Sequence, residues 1–164
     1  MREGIARVGL VDILVGIPSY NNASTIGHVA STVAEGIRRR FPDARAVIVN
    51  SDGGSKDGSG DVVARSTGDT PTITGAYLGI PGKGSAFRAI FEVAAALGPT
   101  ACAVVDSDLR SITPEWIARL VGPIADGEAD YITPPYARPT TDGTITNSTP
   151  PPPTRHRSRT RTRT

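Results

Sequence analysis

Cysteine is almost absent from this 164-residue chain: Cys102 is the one thiol. It makes no intrachain disulfide and no zinc cluster, and inside an apolar run it reads as a small buried hydrophobe suited to a reducing, cytoplasmic setting. Long apolar runs are also missing, and none approaches the ~20 residues that span a bilayer. The opening MREGIARVGLVDILVGIP has two arginines and then an apolar stretch, the outline of a signal peptide. Asp12 interrupts it and no small-residue cleavage site follows, so it reads as the approach to a first strand. An excess of either charge is lacking in the body of the chain. Five of the eighteen Lys and Arg lie in the last ten residues, which leaves thirteen basic against sixteen acidic side chains before them, a net of −3. Nothing in that body suggests a nucleic-acid surface. Two nucleotide signatures are lacking as well. Gly16-Ile17-Pro18-Ser19-Tyr20 stands where G-x-G-x-x-G would follow a first strand, and Gly82-Lys83 is followed by Gly84 and preceded by Tyr77 where a P-loop needs Ser/Thr and glycine.

The length allows one domain, and the pattern is an alternation of strands and helices. Strands are expected at Asp12–Ile17, where Pro18 ends the ladder, and at Ala44–Val49, Thr72–Leu78, Ala101–Val105 and Ala129–Thr133. Helices are expected from Asn22 or Ser24 (as cap) to about Phe41, at about Gly60–Arg65, at Ala86–Leu97 and from Pro114. Short loops between them argue for a parallel sheet with helices on both faces. Loops 18–22, 50–59, 79–85 and 106–110 each follow a strand, so they gather at one edge. From Ser148 the chain reads STPPPPTRHRSRTRTRT, a segment with no packable apolar residue. It is expected to be a disordered tail (148–164) behind a domain at 1–147. Its composition is that of out-of-frame translation of GC-rich DNA, which resequencing tests; an RNA-binding arm is the other reading.

The stretch Thr100–Leu109 (TACAVVDSDL) organises the rest. A strand does not bury unpaired charges, so Asp106 and Asp108 emerge at its carboxyl end, where open α/β sheets bind ligands. Two hard oxygen donors on one short turn suit Mg²⁺ or Mn²⁺ shared with substrate phosphates. Equally, Asp106 ends a strand and Asp108 caps a turn. Asp52, at the end of strand two, can accept from a base edge or simply form a D-G turn. Lys83, on a glycine loop, can meet a phosphate as a point charge or stay solvated.

Over about residues 11–147 the chain resembles the family 2-like glycosyltransferases of the GT-A fold. Ile13–Thr25 (ILVGIPSYNNAST) is similar to that group's first strand and P-x-Y-N loop. Val47–Ser59 (VIVNSDGGSKDGS) is similar to its D-G-S-x-D-G segment, with one extra glycine, and Asp106-Ser107-Asp108 stands in the place of its D-x-D. More narrowly, PGKG at 81–84, VDSDL and WIARLVGP at 116–123 resemble glucosyl-3-phosphoglycerate synthases and mannosylglycerate synthases, retaining enzymes that move a sugar from a nucleotide donor to phosphoglycerate or glycerate. The resemblance implies an α/β sheet, mostly parallel and flanked by helices. It implies a base site at Pro18, Tyr20, Asn22 and Asp52, with Ser19 and Ser107 completing the nucleotide-sugar contacts. Lys83 would meet the diphosphate, Asp106 the ribose region and, with Asp108, the Mg²⁺ or Mn²⁺. A UDP- or GDP-sugar and a small-molecule acceptor would be the partners, with no nucleic acid and no membrane span. That family's later half supplies the acceptor pocket and a histidine metal ligand. Neither His28 nor His156 matches it, so the expectation is a truncated donor half that binds nucleotide-sugar weakly and transfers poorly; no catalytic residue is assigned. The alternatives are a sugar-phosphate nucleotidyltransferase, whose glycine-rich, Arg-containing loop after strand one is lacking here, and an inactive nucleotide-binding fragment with a basic tail.

Overall fold

The computed structural model describes residues 1–133; the stretch 134–164, and with it the expected domain boundary and the tail, lies outside the described residues. Four strands, β1 (Ile13–Ser19), β2 (Ala46–Asp52), β3 (Thr72–Ala76) and β4 (Ala101–Val104), form one parallel sheet in the order β3-β2-β1-β4. Five helices accompany them: α1 (Arg2–Val8), α2 (Ala23–Arg40), α3 (Ser59–Ser66), α4 (Lys83–Leu97) and α5 (Pro114–Ala125). Side chains alternate across the pleat. Ile13, Val15 and Ile17 of β1 therefore face one cluster with Val29, Val33 and Ile117 of α2 and α5. Leu14 faces the opposite cluster, with Val47, Val49, Ile90 and Leu97, and α4 and α1 cover that side. Gly16 lets α4 approach closely: a Cβ there would lie 2.6 Å from Ile90 Cγ2.

Several boundaries differ from the sequence reading, each for a physical reason. Pro18 lies inside β1 and pairs with Ser51. Val105 N–H donates to the Gly16 carbonyl, so alternate residues of β1 face β4, and β4 ends opposite Gly16. The missing N–H of Pro18 points where no strand follows and costs no ladder bond. β2 runs on to Asp52 because Asn50 and Ser51 are completely buried between β1 and β3. β3 stops at Ala76: Tyr77 N–H still donates to Asp52 O, and Leu78 is then 97% exposed. Lys83 is the first residue of α4 rather than part of a loop. The strand expected at Ala129–Thr133 does not form. After α5 the chain turns at Gly127, with φ +74°, and Glu128 and Ala129 N–H both donate to Pro123 O. Helix α1 was not anticipated; its Ile5 and Val8, one turn apart, pack with Met1 against the α4 side of the sheet.

Candidate functional site

The strand order reverses between β1 and β4, and the crevice beyond their carboxyl ends is where open α/β sheets place ligands. A cavity of about 480 Å³ opens there. Pro18, Ser19, Tyr20 and Asn22 line it from the end of β1, and Asp106, Ser107 and Asp108 line it from the end of β4. The remaining wall comes from Lys83 and Ala86 of α4, the preceding Pro81-Gly82, Tyr77 and Gly53. All the candidate residues except Asp52 thus meet at one cavity. Tyr77 and Gly53 were not anticipated as wall residues, although each follows the carboxyl end of a strand, the signal that found the other loops.

Asp52 lies behind this wall, 8% exposed. Its carboxylate accepts from Ser19 Oγ at 2.8 Å, Ser55 Oγ at 2.6 Å, and the Gly54 and Ser55 amides at 3.0 and 2.7 Å. Ser19 Oγ also accepts from Asn50 Nδ2 at 2.9 Å. Both side chains are therefore engaged in holding the β2–α3 loop to the end of β1.

The loops after β1 and β2 are stitched together. Asn21 N–H donates to Ser55 Oγ (2.8 Å), Asn22 N–H to Ser59 Oγ (2.9 Å), and Lys56 N–H to Asn21 Oδ1 (3.0 Å). Asn22 occupies the N-cap position of α2 but makes no side-chain cap bond. Asp57 Oδ2 instead accepts from Ala23 N–H at 2.9 Å, capping α2 from the neighbouring loop. Hydrogen bonds from Ser59 and Ala23 hold the Asp57 carboxyl below its ordinary pKa. Released from capping, Asn22 Oδ1 accepts from Tyr20 N–H (3.0 Å) and Ser107 Oγ (2.8 Å). Thr25 Oγ1 donates to Ser107 O at 3.0 Å. Ser107 is thus pinned through side chain and backbone to the start of α2, which fixes the turn that carries the two aspartates.

At the turn itself, Lys83 Nζ lies 2.7 Å from Asp106 Oδ1. Asp108 is exposed. Among the described residues, no three His, Cys, Asp or Glu side chains are grouped to hold a metal. Asp106 and Asp108 nevertheless offer hard oxygen donors at the mouth of an open cavity. They fit Mg²⁺ or Mn²⁺, cations that keep several waters and take the rest of their shell from substrate phosphates.

The family model for glycosyl transferase family 2 matches residues 14–164. The chain belongs to that family. Glucosyl-3-phosphoglycerate synthase from Mycobacterium tuberculosis, solved with Mn²⁺, UDP-glucose and phosphoglyceric acid, is similar at 24% identity and TM-score 0.54 over 72% of this chain and 40% of that one. The same enzyme solved with Mg²⁺ and UDP aligns at 23% identity and TM-score 0.52, over 76% of this chain and 44% of that one. Mannosyl-3-phosphoglycerate synthase from Rubrobacter xylanophilus aligns at 18% identity and TM-score 0.52, over 77% of this chain and 45% of that one. These likenesses show a shared fold, and the GT-A-type α/β architecture expected from the motifs is the one observed. The family 2 chain spans less than half the length of each of these structures. A search of curated protein sequences gave no match. Among the described residues no helix is long and apolar enough to cross a membrane.

Proposed function

We propose that this family 2 chain binds a nucleotide-diphospho-sugar, UDP- or GDP-linked, together with Mg²⁺ or Mn²⁺. It would serve sugar transfer to a small acceptor such as phosphoglycerate or glycerate, in the cytoplasm. The base lies against Pro18, Tyr20 and Asn22, with Gly53 beside Tyr20 and Tyr77 in the same wall. Lys83 meets the diphosphate at the N-terminus of α4, where backbone N–H groups also favour an anion. Asp106 borders the ribose, and with Asp108 holds the cation, which when bound neutralises charge on the departing diphosphate. Ser19, Asp52 and Ser107 keep these groups in place.

The observation that carries this reading is the convergence of Lys83 with Asp106 and Asp108 on the crevice at the strand-order reversal. The solved structures of similar fold hold Mn²⁺ with UDP-glucose in one case and Mg²⁺ with UDP in another, which supports the same ligand class here. The family match favours transfer over the nucleotidyltransferase alternative. Titrating UDP and GDP into the protein with Mn²⁺ present tests the reading. One nucleotide bound in preference to the other is the expected result; neither bound by folded protein overturns it. Acceptor-dependent release of nucleoside diphosphate from the matching nucleotide-sugar then tests the phosphoglycerate or glycerate assignment.

A further inference from the structure

The Lys83–Asp106 ion pair is a second consequence of the same cavity, and it rests on the nucleotide reading above. We propose that this pair makes the site selective for a divalent cation and a diphosphate taken up together, each side chain occupying the place of the ligand its partner will bind. Lys83 opens α4, and a cation at a helix N-terminus stands at the unfavourable end of the macrodipole. The N-cap residue, Gly82, has no side-chain oxygen to offset this. The carboxylate of Asp106, 2.7 Å away, supplies the missing anion, as a diphosphate would. Asp106 in turn stands two residues from Asp108 on one short turn, a crowding of like charge that a cation relieves. The ammonium of Lys83 is that cation when no metal is bound.

Neither ligand alone completes the exchange. A metal ion at Asp106 and Asp108 turns the Lys83 ammonium out into an unpaired position at the start of α4. A diphosphate that draws Lys83 away leaves two neighbouring carboxylates uncompensated. When both arrive, every charge has a new partner, so each ligand raises the affinity for the other by the same factor. A nucleoside without phosphates leaves the pair closed and takes no part in the exchange, so it gains no affinity from the metal. The pair can be opened at low cost: the two side chains are 61% and 43% exposed, and solvated pairs of this kind are weak. Lys83 Nζ also lies 5.7 Å from the centre of the Phe87 ring, one turn further along α4, a second contact available to the ammonium when it is released.

The test is a gain of affinity on losing a charged residue, which a merely structural role does not produce. Lys83→Gln frees Asp106, and should bind Mn²⁺ without nucleotide about two- to five-fold tighter than the unchanged protein, read from the free-Mn²⁺ paramagnetic resonance signal. Asp106→Asn frees Lys83, and should bind UDP without metal tighter by a similar factor, read by calorimetry. Mn²⁺ binding to the lysine variant no tighter than to the parent, undetectable in both included, overturns the proposal; so does metal-free UDP binding to the asparagine variant that is no tighter. If the parent protein binds Mn²⁺ and UDP together and these gains are missing, the pairing alone fails. If it binds neither nucleotide with Mn²⁺, the nucleotide reading fails first.

Discussion

Asp52 is a carboxylate whose acceptor capacity is taken up by the protein itself. Four short hydrogen bonds and near-complete burial make it the post to which the β2–α3 loop is tied. Replacing it by alanine leaves the buried Ser19 hydroxyl and three part-buried donors of the β2–α3 loop without their acceptor. Asp52→Ala is therefore expected to cost about 2–4 kcal/mol in urea unfolding, where an exposed change such as Lys56→Ala stays within about 0.5 kcal/mol. From the sequence, Asp52 stood as a base contact or a D-G turn residue, and pattern alone does not choose between them. The choice depends on which way the side chain faces after β2, and that is set by Ser19 across the sheet, thirty-three residues earlier. Asp106 and Asp108 were more legible: an apolar run ending in two charges has to release them at the strand's end.

Among the elements, α2 depends on its neighbours at both ends. Its first turn is capped by Asp57 from the next loop, a long-range partner that hydrophobic periodicity does not reveal. Because the folded-state pKa of Asp57 is depressed, its contribution is present above the unfolded value near 3.8 and is lost as pH falls through the lower folded value. The stability gap between the parent and Asp57→Ala should thus be flat around neutral pH and narrow below about pH 4; a gap unchanged down to pH 2.5 in thermal unfolding contradicts this cap. Further along α2, Gly36 lets α5 cross closely. A Cβ there would lie 2.6 Å from Pro114 O and 2.8 Å from Ile117 Cβ, and a backbone oxygen has little room to yield. Gly36→Ala should destabilise by about 1–3 kcal/mol. Gly122, inside α5, meets nothing at its Cβ position beyond its chain neighbours, but it precedes Pro123, whose ring crowds a Cβ on a helical residue before it; Gly122→Ala should therefore stay within about 0.5 kcal/mol, the helix propensity gained being offset there. A clear loss at Gly36 beside a near-neutral change at Gly122, measured side by side by chemical denaturation, checks the packing of this layer. The helices and strands themselves were readable from periodicity, and their ends were not. Pro18 was taken as a terminator because its tolerance depends on where β4 stops, and α1 went unread because seven residues hold too short a pattern.

For the molecule as a whole, strand order assembles the cavity from loops that no single motif contains. A parallel sheet whose strand order reverses between β1 and β4 brings together loops more than eighty residues apart, and Asn22, Thr25 and Ser107 lock that meeting in place. Ser107→Ala keeps the turn's backbone bond to Thr25 but loses the bond to Asn22, and should weaken Mn²⁺-dependent nucleotide binding about three- to ten-fold, the worth of one hydrogen bond. The sequence motifs predicted the gathering of loops because each follows a strand, and Gly53 belongs to one of those loops, whereas Tyr77 enters the cavity because β3 ends early, at Ala76. The most direct test of the account is calorimetric titration of UDP and GDP, with and without Mn²⁺, into the parent protein and Asp108→Ala. One nucleotide bound only with Mn²⁺, and lost in the variant, is the predicted result; binding that ignores both the metal and Asp108 would contradict the account.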